Sequence, residues 1–295
     1  MRVLLLGATG MLGQSLTQFL KEKGITVDGV ARKNADINLD VVTELEQLKN
    51  RIIHNGYDVV INTVALINLK YCNEHPEKAY LINTYVPAEI AELCERLNIY
   101  FIQISTDHYY TSDKQHLHNE EEPIILLNEY ARTKYLAENL TLMFKNTLVI
   151  RTNIIGFRNH ETPTFIEWVI NNLENNQSLT GYSNMYTSSI DTNSFSIILY
   201  ELLVQRELGL WNIAAEGVLS KYELILQLAQ KFNKVELIAK GQLPQDSIQR
   251  GNSLGLSIKK LKKYYPDLLI PTVTQVVENI YEEYIKRGEN KNELS

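Results

Sequence analysis

The sequence predicts an α/β fold: a doubly wound parallel sheet with a smaller C-terminal lid domain. Three observations predict it. Short, unbroken apolar runs recur through the first half of the chain, the pattern of strands buried on both faces. Helical stretches separate these runs at a regular rhythm, as parallel strands require. The first run ends in a glycine-rich turn that leads directly into a helix. With 295 residues, the chain is long enough for one large domain or two modest ones. Residues 1–155 are expected to form the sheet domain, with segments from about 179–214 returning to it, and residues 156–295 to form most of the smaller domain.

Val3 to Leu6 reads as the first buried strand and ends at Gly7. Gly7-Ala-Thr-Gly10-Met-Leu-Gly13 follows, then a helix from Ser15 closed by Gly24. Strand, glycine turn and helix together place backbone N–H groups and a positive helix end against a pyrophosphate. The glycine spacing is G-x-x-G-x-x-G, not the G-x-G-x-x-G of the dehydrogenase fingerprint. A plain tight turn is the alternative reading. The second strand, Thr26 to Val30, runs into Ala31-Arg32-Lys33. A carboxylate at this strand end suits a free ribose 2′-hydroxyl and cations suit a 2′-phosphate, so Arg32 and Lys33 favour NADP(H) over NAD(H). Two solvated loop cations would look the same. Asp36 and Ile37 come next, where an adenine contact can form.

Tyr57 to Ala65 and Ile99 to Ile104 repeat the buried-strand pattern on either side of a helix from about Tyr80 to Leu97. The later strand ends in Ser105-Thr106-Asp107, and a polar, irregular segment from Tyr109 to Pro123 follows. Leu148 to Thr152 is a further strand, leading to Asn153-Ile-Ile-Gly156. Beyond Gly156 the alternation loosens. Helices are expected over Phe165–Leu173, Thr192–Leu203 and Val273–Arg287, and a strand over Leu210–Ala214. Another helix opens at Ser220, a plausible N-cap with Glu223 at the third position. Residues 241–257 read as mostly irregular.

Composition excludes several classes. Hydrophobic content of 44% and charged content of 22% are ordinary for a globular protein. A net charge of −6 argues against a nucleic-acid or anionic-membrane surface. No apolar run approaches bilayer-spanning length, and the short N-terminal run leads into a glycine turn rather than a cleavage site, so a cytoplasmic protein is expected. Cys72 and Cys94 have neither metal-ligand spacing nor a disulfide framework and read as reduced thiols. His116-x-His118 lies in a polar loop with no third ligand at metal spacing, so no metal is expected. Lys259-Lys260-x-Lys262-Lys263 reads as the solvated face of a helix.

The stretch Asn128-Glu-Tyr130-Ala-Arg-Thr-Lys134-Tyr-Leu-Ala-Glu138 suits a helix that places Tyr130 and Lys134 on one face, a turn apart. An ammonium beside a phenol stabilises phenolate and lowers a pKa that is normally about 10. A tyrosine tuned in this way can give a proton to a developing alkoxide. Tyr-x-x-x-Lys also arises on ordinary amphipathic helices, so its weight comes from the motifs that precede it.

Three separated motifs line up: Gly7-x-x-Gly10-x-x-Gly13, Ser105-Thr106-Asp107 and Tyr130-x-x-x-Lys134. Together they resemble the extended short-chain dehydrogenase/reductase superfamily and, within it, the dTDP-4-dehydrorhamnose reductase (sugar-nucleotide-binding) family. That branch reads Ser-Thr-Asp-Tyr-Val-Phe-Asp-Gly and Tyr-Gly-Arg-Thr-Lys; here the matching stretches are Ser105-Thr-Asp-His-Tyr-Tyr-Thr-Ser112 and Tyr130-Ala-Arg-Thr-Lys134. Ile61-Asn62-Thr-Val-Ala65, Asn83 and Arg151-Thr-Asn-Ile-Ile-Gly156 extend the likeness over nearly the whole chain.

The resemblance implies a Rossmann-type sheet domain, a substrate-binding lid, and NADPH-dependent reduction of a nucleotide-diphosphate-linked keto-deoxy sugar in surface polysaccharide precursor biosynthesis. It implies Tyr130 as proton donor to the carbonyl oxygen and Thr106 as a hydrogen-bond partner of that oxygen. Lys134 would lower the Tyr130 pKa and hold the nicotinamide ribose. Gly7, Gly10 and Gly13 would pack on the pyrophosphate, Met11 and Leu12 would offer N–H groups, and Thr63, Val64 and Ala65 would line the cofactor. Thr106, Asp107, His108, Asn153 and Arg250 would face the substrate, although an exposed loop cation is an equal reading of Arg250. Trp168, Tyr182 and Tyr186 are stacking candidates whose expected place is the core.

The departures fall beside the implied sugar pocket. His108-Tyr109-Tyr110 stands for Tyr-Val-Phe, the Asp-Gly after it is missing, and Ala131 replaces a glycine. They question the sugar more than the chemistry. An epimerase or dehydratase with bound NAD is a rival reading, although a dehydratase usually carries an acidic pair where Asp107-His108 stands. A non-catalytic NADP-binding regulatory subunit, like the beta subunit of methionine adenosyltransferase, is another; intact Thr106, Tyr130 and Lys134 weigh against it. Expected partners are the nucleotide-linked keto sugar and, at most, a second copy of the chain as a homodimer, with no nucleic acid and no membrane.

Overall fold

A computed structural model of the chain describes residues 1–111, 113–158, 160, 162–244 and 248–293, with side chains as far as residue 289. Ser112, which ends the Ser105 motif, lies outside the described residues. The chain opens with β1 (Arg2–Leu6), α1 (Met11–Glu22), β2 (Thr26–Ala31), β3 (Ile37–Asn38) and α2 (Leu45–His54). β4 (Val59–Asn62) leads through α3 (Leu69–Glu74), α4 (Pro76–Tyr80) and a π-helical turn (Leu81–Tyr85) to α5 (Val86–Arg96). β5 (Tyr100–Ile104), α6 (Glu129–Thr141) and β6 (Thr147–Arg151) follow. The second half holds β7 (Ile154–Ile155), α7 (Phe165–Glu174), β8 (Leu179–Tyr182), β9 (Tyr186–Thr187), β10 (Ile190–Asp191), α8 (Thr192–Val204) and β11 (Gly209–Asn212). It ends with β12 (Leu219–Ser220), α9 (Lys221–Lys231), β13 (Ile238–Gly241), β14 (Ser253–Leu254), α10 (Lys259–Tyr264) and α11 (Val273–Glu293).

Seven parallel strands form the main sheet in the order β11-β6-β5-β4-β1-β2-β3. Successive side chains on one strand serve opposite layers. Leu4, Leu6, Val60 and Phe101 pack with Leu48 and Ile52 of α2 and Ile90 of α5. Val3, Leu5, Ile61 and Ile102 pack with Leu16 and Leu20 of α1 and Ile198 and Leu202 of α8. Both faces are covered, which is why the strands read as continuous apolar runs. Strand order reverses between β1 and β4, and ligands of such sheets bind outside the carboxyl ends there. β11 joins the sheet beside β6, while β8 pairs with β13 and β9 lies between β12 and β14.

Several elements depart from expectation for local reasons. α1 begins at Met11, before Ser15, because the glycine turn passes straight into the helix. The segment expected to be a loop before Tyr80 is helical from Leu69, since Asn68 caps α3 by accepting from Tyr71 N at 2.9 Å and Pro76 starts α4. α7 buries Ile166, Val169, Ile170 and Leu173 at helical spacing, which turns Trp168 outward to 42% exposure rather than into the core; Tyr182 and Tyr186 are half-buried. Lys260 is not simply solvated: its Nζ donates to Leu210 O at 2.7 Å and lies 4.1 Å from the centre of the Trp211 ring. The capping box at Ser220 and Glu223 forms. Among the described residues no helix is long and apolar enough to cross a membrane.

The glycine turn sets the closest approaches in the sheet domain. Gly7 has φ +86°, and a Cβ there would stand 2.5 Å from Thr63 Oγ1. A Cβ on Gly13 would stand 2.1 Å from Gly7 O and 2.8 Å from Ala8 Cα, so α1 docks against backbone that cannot yield. Gly13→Ala is therefore expected to lower the unfolding free energy by about 1–3 kcal/mol or more. A lower urea midpoint with an unchanged m-value is the readout.

Candidate active site

The glycine turn, the end of β4 and the end of β5 meet at the reversal in strand order. α1 starts at Gly10 without a side-chain cap, so the N–H groups of Met11 and Leu12 lie in a first turn lacking intrahelical acceptors. Gly7 and Gly13 keep the floor of this cradle free of side chains. An anionic pyrophosphate fits it. Thr63 donates to Leu6 O at 2.7 Å, and Val64 N donates to Asn62 Oδ1 at 3.1 Å, which fixes the loop leaving β4. Asn83, turned inward by the π-helical turn, accepts from Leu66 N at 2.7 Å and donates to Thr133 Oγ1 at 3.1 Å. Thr63, Val64 and Ala65 are thereby held between the glycine turn and α6. At the end of β2, Arg32 and Lys33 are exposed. Asp36 accepts from Gly29 N at 2.9 Å, committing one carboxylate oxygen to the strand, and Ile37 is buried in the core beneath β2.

Thr106, Tyr130 and Lys134 are all buried. Asn128 positions the tyrosine by capping α6, accepting from Ala131 N at 2.9 Å. The Thr106 side chain lies close enough to the Tyr130 phenol to favour its ionised form. The phenol pKa is nonetheless raised, chiefly by burial, with Thr106 acting the other way and the Asp107 charge adding to the rise. This differs from the ammonium–phenol coupling expected from spacing. Lys134 lies one turn away but donates from Nζ to Ile104 O at 2.6 Å, and burial pushes its pKa down to about 8 against the pull of Glu138.

Next to Thr106, Asp107 is buried and accepts from Asn153 Nδ2 at 2.8 Å, while Asn153 Oδ1 accepts from Ser189 Oγ at 2.7 Å. The His108 ring stands edge-on to Tyr130, with centroids 5.6 Å apart and planes at 89°. Burial, joined by the charges of Lys221 and Arg250, pushes its pKa down to about 4. Arg250 comes to this side because Asn128 Nδ2 donates to Gln249 O at 2.9 Å and Gly251 packs on Tyr110 O, where a Cβ would be 2.5 Å away. The structure thus brings Thr106, Asp107, His108, Tyr130, Asn153 and Arg250 into one neighbourhood, linked pair by pair. A cleft of about 1610 Å³ between α1, α7, α8 and α11 includes Met11 but none of Thr106, Tyr130 and Lys134.

Lys221 escaped the sequence reading, and Glu138 was visible there only as part of the Tyr130 motif, without its partners. Lys221 opens α9 and acts electrostatically on both Asp107 and His108; burial pushes its pKa down to about 8. Its Nζ lies 4.6 Å from the centre of the Phe165 ring. A cation at the first position of a capped helix opposes the macrodipole, and that local inconsistency is the signal available in the sequence. Glu138 accepts from Ser105 Oγ at 2.5 Å and from Tyr109 Oη at 3.0 Å and pairs with Arg151 at 2.8 Å.

The Asp107 carboxyl is pushed up to about 7, mainly by burial, against the Asn153 hydrogen bond and the Lys221 charge. The folded state keeps a proton that the unfolded chain releases at about pH 4. Stability owed to this group is therefore full at low pH and is lost as pH rises from about 4 through about 7. Asp107→Asn removes that loss. Its Tm is expected to exceed that of the parent at about pH 8, with the gap closing toward about pH 5; parallel melting curves at both pH values would contradict this.

Residues 1–284 match the family described as RmlD substrate binding domain. The spore coat polysaccharide biosynthesis protein SpsK of Bacillus subtilis (strain 168) is 26% identical over 231 residues, 78% of this chain and 79% of SpsK. The solved structure of a hypothetical dTDP-4-dehydrorhamnose reductase from Sulfolobus tokodaii is 26% identical, covers 92% of this chain and 98% of its own, and has a TM-score of 0.81. The dTDP-4-dehydrorhamnose reductase of Bacillus anthracis str. Ames, solved in complex with NADP, has a TM-score of 0.86 over 96% of this chain and 99% of its own. At 16% identity that last likeness concerns the fold alone. Sheet order, glycine turn and a match along nearly the whole length agree: the chain belongs to the RmlD substrate binding domain family, the dTDP-4-dehydrorhamnose reductase family that its motifs resemble.

Proposed function

We infer that the protein catalyses the NADPH-dependent reduction of a nucleotide-diphosphate-linked keto-deoxy sugar, in the cytoplasm, for surface polysaccharide precursors. Its family makes the chain an NAD(P)-dependent oxidoreductase of the nucleotide-sugar class. What supports the finer reading is the burial together of Thr106, just past the carboxyl end of β5, and of Tyr130 and Lys134 on α6, with Thr106 near enough to the phenol to act on it. The relatives' names support it: SpsK is named for spore coat polysaccharide biosynthesis, and the Bacillus anthracis reductase was solved with NADP. Arg32 and Lys33 at the end of β2 favour the 2′-phosphate of NADPH.

Bound NADPH supplies the hydride. Thr106 and Tyr130 hold the carbonyl oxygen between two hydroxyls. The raised pKa of Tyr130 keeps the phenol protonated, as a proton donor must be, and its proton moves to the oxygen as negative charge develops there. Lys134, one turn away, then stabilises the phenolate left behind. Lys221 and Arg250 put two cations on the substrate side, where a diphosphate needs them. Asp107, held by Asn153, offers a protonated carboxyl to a sugar hydroxyl at neutral pH and below.

The test follows NADPH absorbance while the protein meets a panel of freshly generated nucleotide-linked 4-keto-6-deoxy sugars, with Tyr130→Phe as control. Turnover is expected with at least one sugar, and Tyr130→Phe is expected to lose about 100-fold or more. Tight NADPH binding with no oxidation across the panel would contradict the reductase reading. Failure to bind any nicotinamide cofactor would contradict the site itself.

A further inference from the structure

The loop between Thr106 and α6 carries a second cluster of ligand-type side chains, apart from the reacting groups. Asp113, His116 and His118 each bring one such atom within 4.8 Å of one another. Glu122 joins them. Its Oε2 lies 3.1 Å from His116 Nε2 and 2.9 Å from His118 Nδ1. Its Oε1 accepts from Asn119 N at 3.2 Å and from Asn119 Nδ2 at 2.9 Å, which holds the carboxylate with Oε2 toward the two imidazoles. His118 is buried and stacked on Tyr110, with centroids 3.8 Å apart and planes at 3°. Its other nitrogen, Nε2, faces Ser253 O at 3.1 Å and Asp113 Oδ1 at 3.4 Å.

Two features of this cluster match metal chemistry. In a tetrahedral zinc site the ligand atoms, each about 2.0–2.2 Å from the ion, stand about 3.3–3.5 Å apart. The Glu122 oxygen is already close to that separation from both imidazole nitrogens. A metal-bound imidazole also donates its second N–H to a carboxylate or backbone carbonyl, which is the setting of His118 Nε2. We propose that His116, His118 and Glu122 bind a divalent cation of the imidazole-preferring kind, zinc being the type, with Asp113 as the outer partner of His118. Sequence spacing hid the site because the carboxylates sit irregularly around His-x-His.

The ion would brace the substrate pocket. His118 N donates to Gly255 O at 2.9 Å and Ser257 N donates to His118 O at 2.8 Å. Ser253 Oγ donates to Lys114 O at 2.7 Å, and Thr111 Oγ1 donates to Asn252 Oδ1 at 2.9 Å. These bonds join the loop after Thr106 to the segment just after Arg250. Only this bracing role rests on the reductase reading; the cation site does not, and its test reads binding rather than turnover.

Untagged, chelator-stripped protein is titrated with Zn²⁺ by calorimetry and with Co²⁺ by visible absorption, and melted with and without Zn²⁺. One equivalent bound, visible bands from Co²⁺ and a rise in Tm are expected. His116→Ala and Glu122→Gln alter exposed or half-buried side chains and leave the Tyr110–His118 stack in place. Each is expected to weaken binding by more than the roughly 10–100-fold that an outer-shell partner is worth, and Asp113→Asn by an amount within that range. Absence of saturable binding, or binding unchanged in both His116→Ala and Glu122→Gln, would overturn the proposal.

Discussion

Glu138 of α6 and Arg151 of β6 form a buried ion pair at 2.8 Å, and the geometry of the candidate active site depends on it. Two charges withdrawn from water hold their place only when the remaining donors and acceptors are satisfied as well. Here Ser105 and Tyr109 donate to the carboxylate and the guanidinium donates to Tyr110 Oη at 3.0 Å. Ser105 directly precedes Thr106, and Glu138 lies about two turns beyond Tyr130 on the same helix. One carboxylate therefore fixes both the strand end before Thr106 and the helix that carries Tyr130. Losing either member of such a pair typically costs about 3–5 kcal/mol, because the other charge stays buried.

Around that frame the pocket leans toward neutral groups. Burial raises Tyr130 and Asp107 and lowers Lys134, Lys221 and His108. Groups held in this way respond strongly to a ligand that brings its own charge. Lys134 and Lys221, lowered to about 8, stay mostly protonated at neutral pH, and an anionic ligand beside them favours their ammonium forms further. Protonation and ligand binding are thereby coupled through the same low-dielectric pocket.

What was legible in the sequence was local. The β1–glycine turn–α1 unit, the alternation of buried strands and helices, and the Ser220–Glu223 cap each depend on residues a few positions apart. The Tyr130–Lys134 spacing placed both groups correctly on α6, but spacing could not show that Lys134 reaches the Ile104 carbonyl at the end of a neighbouring strand. Glu138 was visible as part of a motif, whereas its pairing with Arg151 needed α6 and β6 to be brought side by side. Lys221 belongs to the second half of the chain and acts on Asp107 only once folding brings the start of α9 near the end of β5. The carboxylates around His116 and His118 were hidden for the same reason, since contacts with residues 253–257 shape that loop.

Net hydrogen transfer from cofactor to sugar separates a reductase from enzymes of the same fold that recycle a hydride. The most direct measurement supplies NADPH carrying deuterium at the transferring C4 position and locates the label in the sugar product by NMR. The expected result is deuterium on the new carbinol carbon, one for each NADPH oxidised. A product without deuterium, or one formed with no net loss of NADPH, would contradict the reductase assignment.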